Sequence, residues 1–301
     1  MLLKKIRFWI VILMLICYII GILILTAISL QDSNSFKINS NLNNRYLSKS
    51  KSFEYGLPGF RPYLRRSKIN WCSELKYRNP YGPSIALASF PGSGNTWLRY
   101  LLQQSTGYFT GSVYKDYGLL KNGFPAESVF NGSVLVVKTH EWGAPNRKMF
   151  SKAILLVRTP SAAIQAEFNR QNGGHIGFAA PDKYKRLKGK YWQDFVLRKL
   201  KQWHDMNLDW LYNFTGPTHV IFYEQLVNDL ENTLKTILQF IDIPFNQKLF
   251  NCAIERKEGI YRRKKRVLNF DPFNDKLKSV IKEIEKKVFD AIYNVAAPAE
   301  M

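Results

Sequence analysis

Residues 84–104 read SIALASFPGSGNTWLRYLLQQ, and their order decides the fold. An apolar run of strand length leads into a turn with two glycines. The turn opens directly onto a helical pattern, with apolar residues at Trp97, Leu98, Leu101 and Leu102. A strand, a glycine-rich turn and a helix N-terminus together aim successive backbone N–H groups at one point, where the helix dipole adds about half a positive charge. Gly92 and Gly94 leave room for a ligand against the backbone, and Ser93, Asn95 and Thr96 add polar side chains. A purely structural strand-to-helix turn also favours Gly and Asn, so the loop alone leaves both readings open. No lysine stands in the loop. The G-x-x-x-x-G-K-[ST] pattern of ATP-hydrolysing loops is absent, and with it the γ-phosphate lysine and the adjacent magnesium hydroxyl.

Three more short runs have the composition of buried parallel strands: SVLVVKTH (133–140), AILLVRTP (153–160) and THVIFYEQL (218–226). Helical patterns fill the intervals, chiefly 191–214 and 229–243, and Pro160 and Pro217 mark element edges. This alternation predicts an α/β domain: a three-layer sandwich around a mainly parallel sheet, with its ligand at the carboxyl ends of the strands.

The polar residues at those ends carry the chemistry. Lys138, Thr139 and His140 close the second run, and a neutral imidazole there can take a proton from a hydroxyl near neutral pH. A strand-end histidine is also, more simply, a hydrogen-bonded surface residue. Arg158 ends the third run just before a proline-started helix, where it can grip a phosphate bidentately or form a surface ion pair. Tyr223 follows in the fourth run, able to face an aromatic base, and RRKKR at 262–266 gathers late cations. Such a charge run is ordinarily a solvated face.

The rest of the chain bounds the setting. Its 301 residues carry 44 Lys and Arg against 23 Asp and Glu, a net charge of +21. The uncharged run 8–30 extends roughly 34 Å as a helix, enough to cross a hydrocarbon core of about 30 Å. Lys4, Lys5 and Arg7 precede it, which leaves residues 1–7 cytoplasmic and everything after the span luminal. Residues 31–69, rich in Asn, Ser and Lys, read as a stem, and 70–301 as the globular domain. Behind a type II anchor the basic charge suits phosphorylated or sulfated nucleotides and anionic glycans rather than nucleic acid. Cys72 and Cys252 are the only cysteines beyond the span, either bridged or two buried thiols. Asn131 and Asn213 fit the glycosylation pattern.

Taken in order, FPGSGNTW, KTH, RTP opening a helix, FYEQL and the late Arg-Lys element resemble the sulfotransferases that use 3'-phosphoadenosine 5'-phosphosulfate (PAPS). The resemblance covers about residues 84–270. With AEFNRQNGGHIGFA (166–179) and EGIYRRK (258–264), it is most similar to the sulfotransferase domain of the WSC-domain-containing group, the sialate O-sulfotransferases. The cysteine-rich WSC modules themselves are missing.

The resemblance implies a single-pass type II Golgi sulfotransferase with PAPS as co-substrate, no metal, and a glycan hydroxyl, that of sialic acid, as acceptor. By position, Gly92, Ser93, Gly94, Asn95 and Thr96 would hold the 5'-phosphosulfate and Trp97 would sit near the adenine. Arg158, with Arg263 and Lys264, would bind the 3'-phosphate, and Tyr223 would contact the base. His140 would be the general base, with Lys138 beside it and His175 meeting the acceptor. The chain departs from the better-known pattern twice. Gly92 stands where a loop lysine is usual, passing that charge to Lys138 or to another residue the sequence does not mark, and Ala166 stands where a serine contacts the 3'-phosphate, leaving Asn169 or Arg170 to substitute. These losses keep open a non-catalytic glycan-binding protein on the same fold, whereas a nucleotide kinase would need the lysine and a magnesium carboxylate that are absent.

Overall fold

The computed structural model describes residues 69–262 and 266–296. The span expected over 8–30 and the stem up to residue 68 lie outside them. Among the described residues no helix is long and apolar enough to cross a membrane.

Five strands form one sheet in the order β2-β3-β1-β4-β5: β1 Ile85–Ser89, β2 Gly111–Ser112, β3 Val137–Thr139, β4 Lys152–Val157 and β5 Thr218–Phe222. Every pairing is parallel, with Leu87 opposite both Lys138 and Ile154. The four expected runs are therefore strands, each shorter than its apolar composition suggested. The second begins only at Val137, and the fourth ends at Phe222, so Tyr223 opens a helix instead of ending a strand. The two-residue β2 has no apolar run of its own and escaped the sequence reading.

Alternation along the central strands explains the three layers, because neighbouring side chains point to opposite faces. Ala86, Ala88, Ala153, Leu155 and Val157 belong to one buried cluster. Ile85, Leu87, Ile154 and Leu156 belong to the other. The second face is covered by α1 (Asn95–Thr106), α8 (Leu230–Phe240) and α9 (Gln247–Glu255). The first is covered by α4 (Pro160–Gly173), α6 (Lys190–Asn213) and α10 (Asp275–Ala296). Helix α6 shows why: Trp192, Phe195, Val196, Leu200, Trp203, Met206 and Trp210 recur every three or four residues and are all buried. The shorter helices are α2 (Tyr117–Lys121), α3 (Ala144–Arg147), α5 (Pro181–Lys185) and α7 (Tyr223–Asn228).

Cys72 and Cys252 are bridged, across 180 residues of chain. The bridge joins the segment entering the domain to α9. Around it Cys72 N–H donates to Gln104 Oε1 at 2.7 Å, and Tyr100 Oη donates to the Arg256 carbonyl at 2.7 Å. Both side chains lie on one face of α1, so this helix is fixed from outside while its N-terminus faces the ligand crevice.

Candidate active site

A cavity of about 740 Å³ opens at the carboxyl ends of β1, β3 and β4, lined by residues of the glycine-rich turn, α4 and the 258–268 segment. That volume lies in the range of small-molecule sites of about 300–1,000 Å³.

The turn between β1 and α1 is held by two glycines with left-handed backbone, Gly92 at φ +90° and Gly94 at φ +96°. Neither has room for a side chain. A Cβ on Gly92 would lie 2.3 Å from the Ala163 carbonyl oxygen and 2.9 Å from the Glu167 nitrogen. A Cβ on Gly94 would lie 2.6 Å from the Tyr223 ring. The missing loop lysine thus has a packing cause: the backbone of α4 occupies the space its side chain would need. Ala166, the other departure from the sulfotransferase pattern, lies on α4 and lines the same cavity as Gly92. Asn95 spends its amide on Leu87 O at 2.9 Å and Ser89 Oγ at 3.0 Å, tying α1 to β1. Its contribution to an anion is therefore the backbone N–H. Helix α1 has no side-chain cap at Gly94, and Thr96 reaches the cavity wall. Ser93 is buried, and its Oγ has no protein partner.

Arg158 extends from the end of β4 across the cavity mouth. One guanidinium nitrogen donates to the Gly92 carbonyl at 2.8 Å, and its plane lies 4.1 Å from the Tyr223 ring centre. Its Nε is buried without a partner. Burial depresses its pKa, against the pull of Tyr223 and Glu224. Orphaned buried donors of this kind carry a free-energy cost that a bound anion removes. Tyr223 in turn meets Trp97 edge-on at 5.9 Å. Trp97 is almost fully buried, donates to the Lys257 carbonyl at 2.7 Å and carries Arg262 over its ring at 5.0 Å. It is a wall of the cavity more than an open stacking platform. Arg263 and Lys264 lie outside the described residues.

At the end of β3, His140 Nδ1 lies 2.6 Å from the carbonyl oxygen of Ser89. A carbonyl only accepts, so Nδ1 carries the proton and Nε2 keeps its lone pair. The ring stacks on Tyr114, whose hydroxyl accepts the His140 backbone N–H at 3.0 Å and donates to Glu141 at 2.7 Å. Burial, then the neighbouring charge of Lys138, pull the His140 pKa down to about 3. Lys138 is itself buried, without a hydrogen-bond partner or ion pair among the described residues. Burial first, and Arg99 second, lower its pKa to about 8. Glu127 does not neutralise it, because Arg99 holds that carboxylate at 2.7 Å in a fully buried pair.

Across the cavity His175 Nε2 lies 2.7 Å from Asp116, and Arg170 pairs with the buried Glu167 at 2.7 Å. Among the described residues the lining carries five cations, Lys138, Arg158, Arg170, Arg262 and Arg266, against one carboxylate, Glu258. That carboxylate is paired with Arg262. Every site residue expected from sequence lines the cavity except Ser93, whose side chain is buried within the loop, and Arg263 and Lys264, which lie outside the described residues. The sequence reading missed Tyr114, Ser89 and Asp116, which orient the two histidines from 26, 51 and 59 residues away. No local pattern announces pairs so separated.

Fold and site together define a parallel α/β domain with a cation-rich cavity beside a neutral, oriented histidine. The chain belongs to the WSCD family: it is 50% identical over 92% of its length to a WSCD family member of Aedes aegypti, covering 94% of that protein. Relatives of the same family in Drosophila melanogaster and Drosophila pseudoobscura are 55% and 54% identical, over 77% and 78% of this chain and 81% and 82% of theirs. No family model matches the chain. Among solved structures, mouse sulfotransferase SULT7A1 complexed with PAP is 16% identical with a TM-score of 0.45, over 73% of this chain and 91% of that one. Retinol dehydratase in complex with androsterone and inactive cofactor PAP is 15% identical with a TM-score of 0.37, over 72% and 81%. Both are distant likenesses.

Proposed function

We propose that the domain is a PAPS-dependent sulfotransferase, moving a sulfuryl group onto a hydroxyl of a glycan, with sialic acid the acceptor that the family resemblance implies. The observation that carries this reading is the convergence, in one cavity of about 740 Å³, of the glycine turn, Arg158 with its orphaned Nε, and His140 with Nε2 unprotonated. The residues fit the group: the turn amides and Thr96 would hold the 5'-phosphosulfate, Arg158 the 3'-phosphate, and Tyr223 with Trp97 the base.

PAPS, when bound, supplies a sulfuryl group attached to a good leaving phosphate. With PAPS and the acceptor bound, His140 Nε2 would take the proton of the acceptor hydroxyl, whose oxygen would bond to sulfur as the bond from sulfur to the phosphate oxygen broke. Lys138 and the first-turn N–H groups of α1 offset the charge left on that phosphate, and their fixed placement means little reorganisation accompanies the step. The depressed pKa of His140 keeps it neutral. An anion bound beside Lys138 cancels the repulsion that contributes to that depression and so strengthens the base when it is needed.

The setting is part of the proposal: a Golgi enzyme anchored by residues 8–30 with the domain luminal. The Cys72–Cys252 bridge supports an oxidising compartment, and Asn131 and Asn213 are exposed, as glycosylation requires. Incubating the purified chain with sulfur-35-labelled PAPS and a glycan panel tests the function. Label in a glycan is the expected result. PAP binding with no labelled product would leave the binding-protein reading instead.

A further inference from the structure

We propose that a second groove beside the active-site cavity is a binding site for an anionic oligosaccharide, holding the part of the acceptor chain away from the reacting sugar. The inference rests on the transferase reading for its purpose, but its binding test is independent of catalysis.

The groove has a volume of about 390 Å³ and lies between the end of α5, the start of α6 and residues 270–274. Tyr184 lines both it and the active-site cavity, and the 266–274 segment supplies wall to both, through Arg266 and Leu268 on one side and Phe270 and Pro272 on the other. The two cavities are therefore neighbours, separated by the buried Tyr184 side chain. Phe270, partly exposed, contributes the accessible aromatic wall, with the buried Tyr184 and Trp192 packed behind it.

The edge of the groove is strongly cationic. The stretch KYKRLKGK at 183–190 places Lys183, Lys185, Arg186, Lys188 and Lys190 within eight residues, all exposed. None of the five forms an ion pair among the described residues. Lys185 lies 4.9 Å over the Phe270 ring and, with Lys188, lines the groove. The acidic residues nearby do not cancel this charge. Asp271 is held by Lys278 at 2.7 Å, and Asp182 is a single exposed carboxylate. The backbone presents the cations by an uncommon route: Leu187 and Lys188 adopt left-handed φ of 53° and 54°, followed by Gly189 at 86°, which turns the segment sharply between α5 and α6.

Surface cations without ion-pair partners among the described residues, set along a groove that exposes part of Phe270, complement a strand carrying carboxylates or sulfates at intervals. A lipid surface would be met by a convex face with several exposed apolar side chains. Here Leu187 is the sole exposed large hydrophobic residue in 183–190.

The test uses the full chain, a fluorescent heparin hexasaccharide as probe, and vesicles with and without phosphatidylserine. The expected result is salt-dependent hexasaccharide binding that weakens at least tenfold in the triple variant Lys185→Ala, Arg186→Ala, Lys188→Ala, with PAP affinity unchanged within twofold. On the unmodified protein, the hexasaccharide should protect Lys185 and Lys188, but not Lys286 and Lys287, from acetylation. No hexasaccharide binding, binding unaffected by the triple change, an unprotected Lys185 and Lys188, or a triple change that abolishes only vesicle binding would each overturn the proposal. Failure of PAP binding would count against the active-site reading alone.

Discussion

Gly92 and Ala163 meet backbone to backbone: a Cβ on the glycine would come within 2.3 Å of the alanine carbonyl oxygen. This contact accounts for the loop's lack of a lysine at residue 92. With α4 drawn against the loop, Gly92 must stay small, and Arg158 can reach the Gly92 carbonyl.

Restoring the familiar lysine should therefore harm the protein. Gly92→Lys forces a side chain into left-handed backbone and into α4, at a cost of about 2–4 kcal/mol. In a domain of this size that lowers the thermal midpoint by roughly 5–10 °C. A midpoint within 1–2 °C of the wild type, read by differential scanning fluorimetry, would contradict this packing account.

Arg158→Ala should weaken PAP binding about 10- to 100-fold, the worth of a hydrogen bond to a charged group. Binding of 5'-AMP, which lacks the 3'-phosphate, should change little. Calorimetry with both nucleotides checks this, and equal losses would remove Arg158 from the 3'-phosphate.

Lys138 should set the alkaline limb of the pH profile. Its folded pKa is lowered to about 8, so its charge is present below that pH and is lost above it, and kcat/KM should fall as pH rises through 8. Lys138→Arg should move this limb upward, since a guanidinium keeps its charge. At the acid end His140, depressed to about 3, should leave kcat/KM free of an inflection between pH 5 and 7. An acid limb near 6.5, the ordinary histidine value, would contradict the depression of His140 by burial and Lys138.

The Cys72–Cys252 bridge closes a very long loop, and such a link contributes about 2–5 kcal/mol. The double change Cys72→Ser, Cys252→Ser should lower the thermal midpoint by several degrees. An unchanged midpoint would mean that the Tyr100, Gln104 and Arg256 contacts suffice to hold α9 on α1.

Much of this architecture was legible in the chain because the central strands and the glycine turn are local signals. The apolar runs ending in FPGSGNTW, KTH and RTP carry their functional residues within a few positions of the strand ends, where a parallel sheet gathers its ligands. What could not be read was long-range. Neither the Ser89 carbonyl that fixes the His140 tautomer, nor the Asp116 that holds His175, nor the α4 backbone over Gly92 has a sequence pattern. Asn95 illustrates the same point from the other side. Its position in the loop suggested an anion donor, yet the fold turns its amide inward to Leu87 and Ser89.

If His140 is the base of a sulfuryl transfer, two measurements on the same preparations of wild type and His140→Ala test it most directly. Transfer of sulfur-35 from PAPS to the acceptor should fall by about 10²- to 10⁴-fold, the usual worth of a general base. PAP affinity should remain within about twofold. Turnover in His140→Ala comparable to wild type would contradict the central claim.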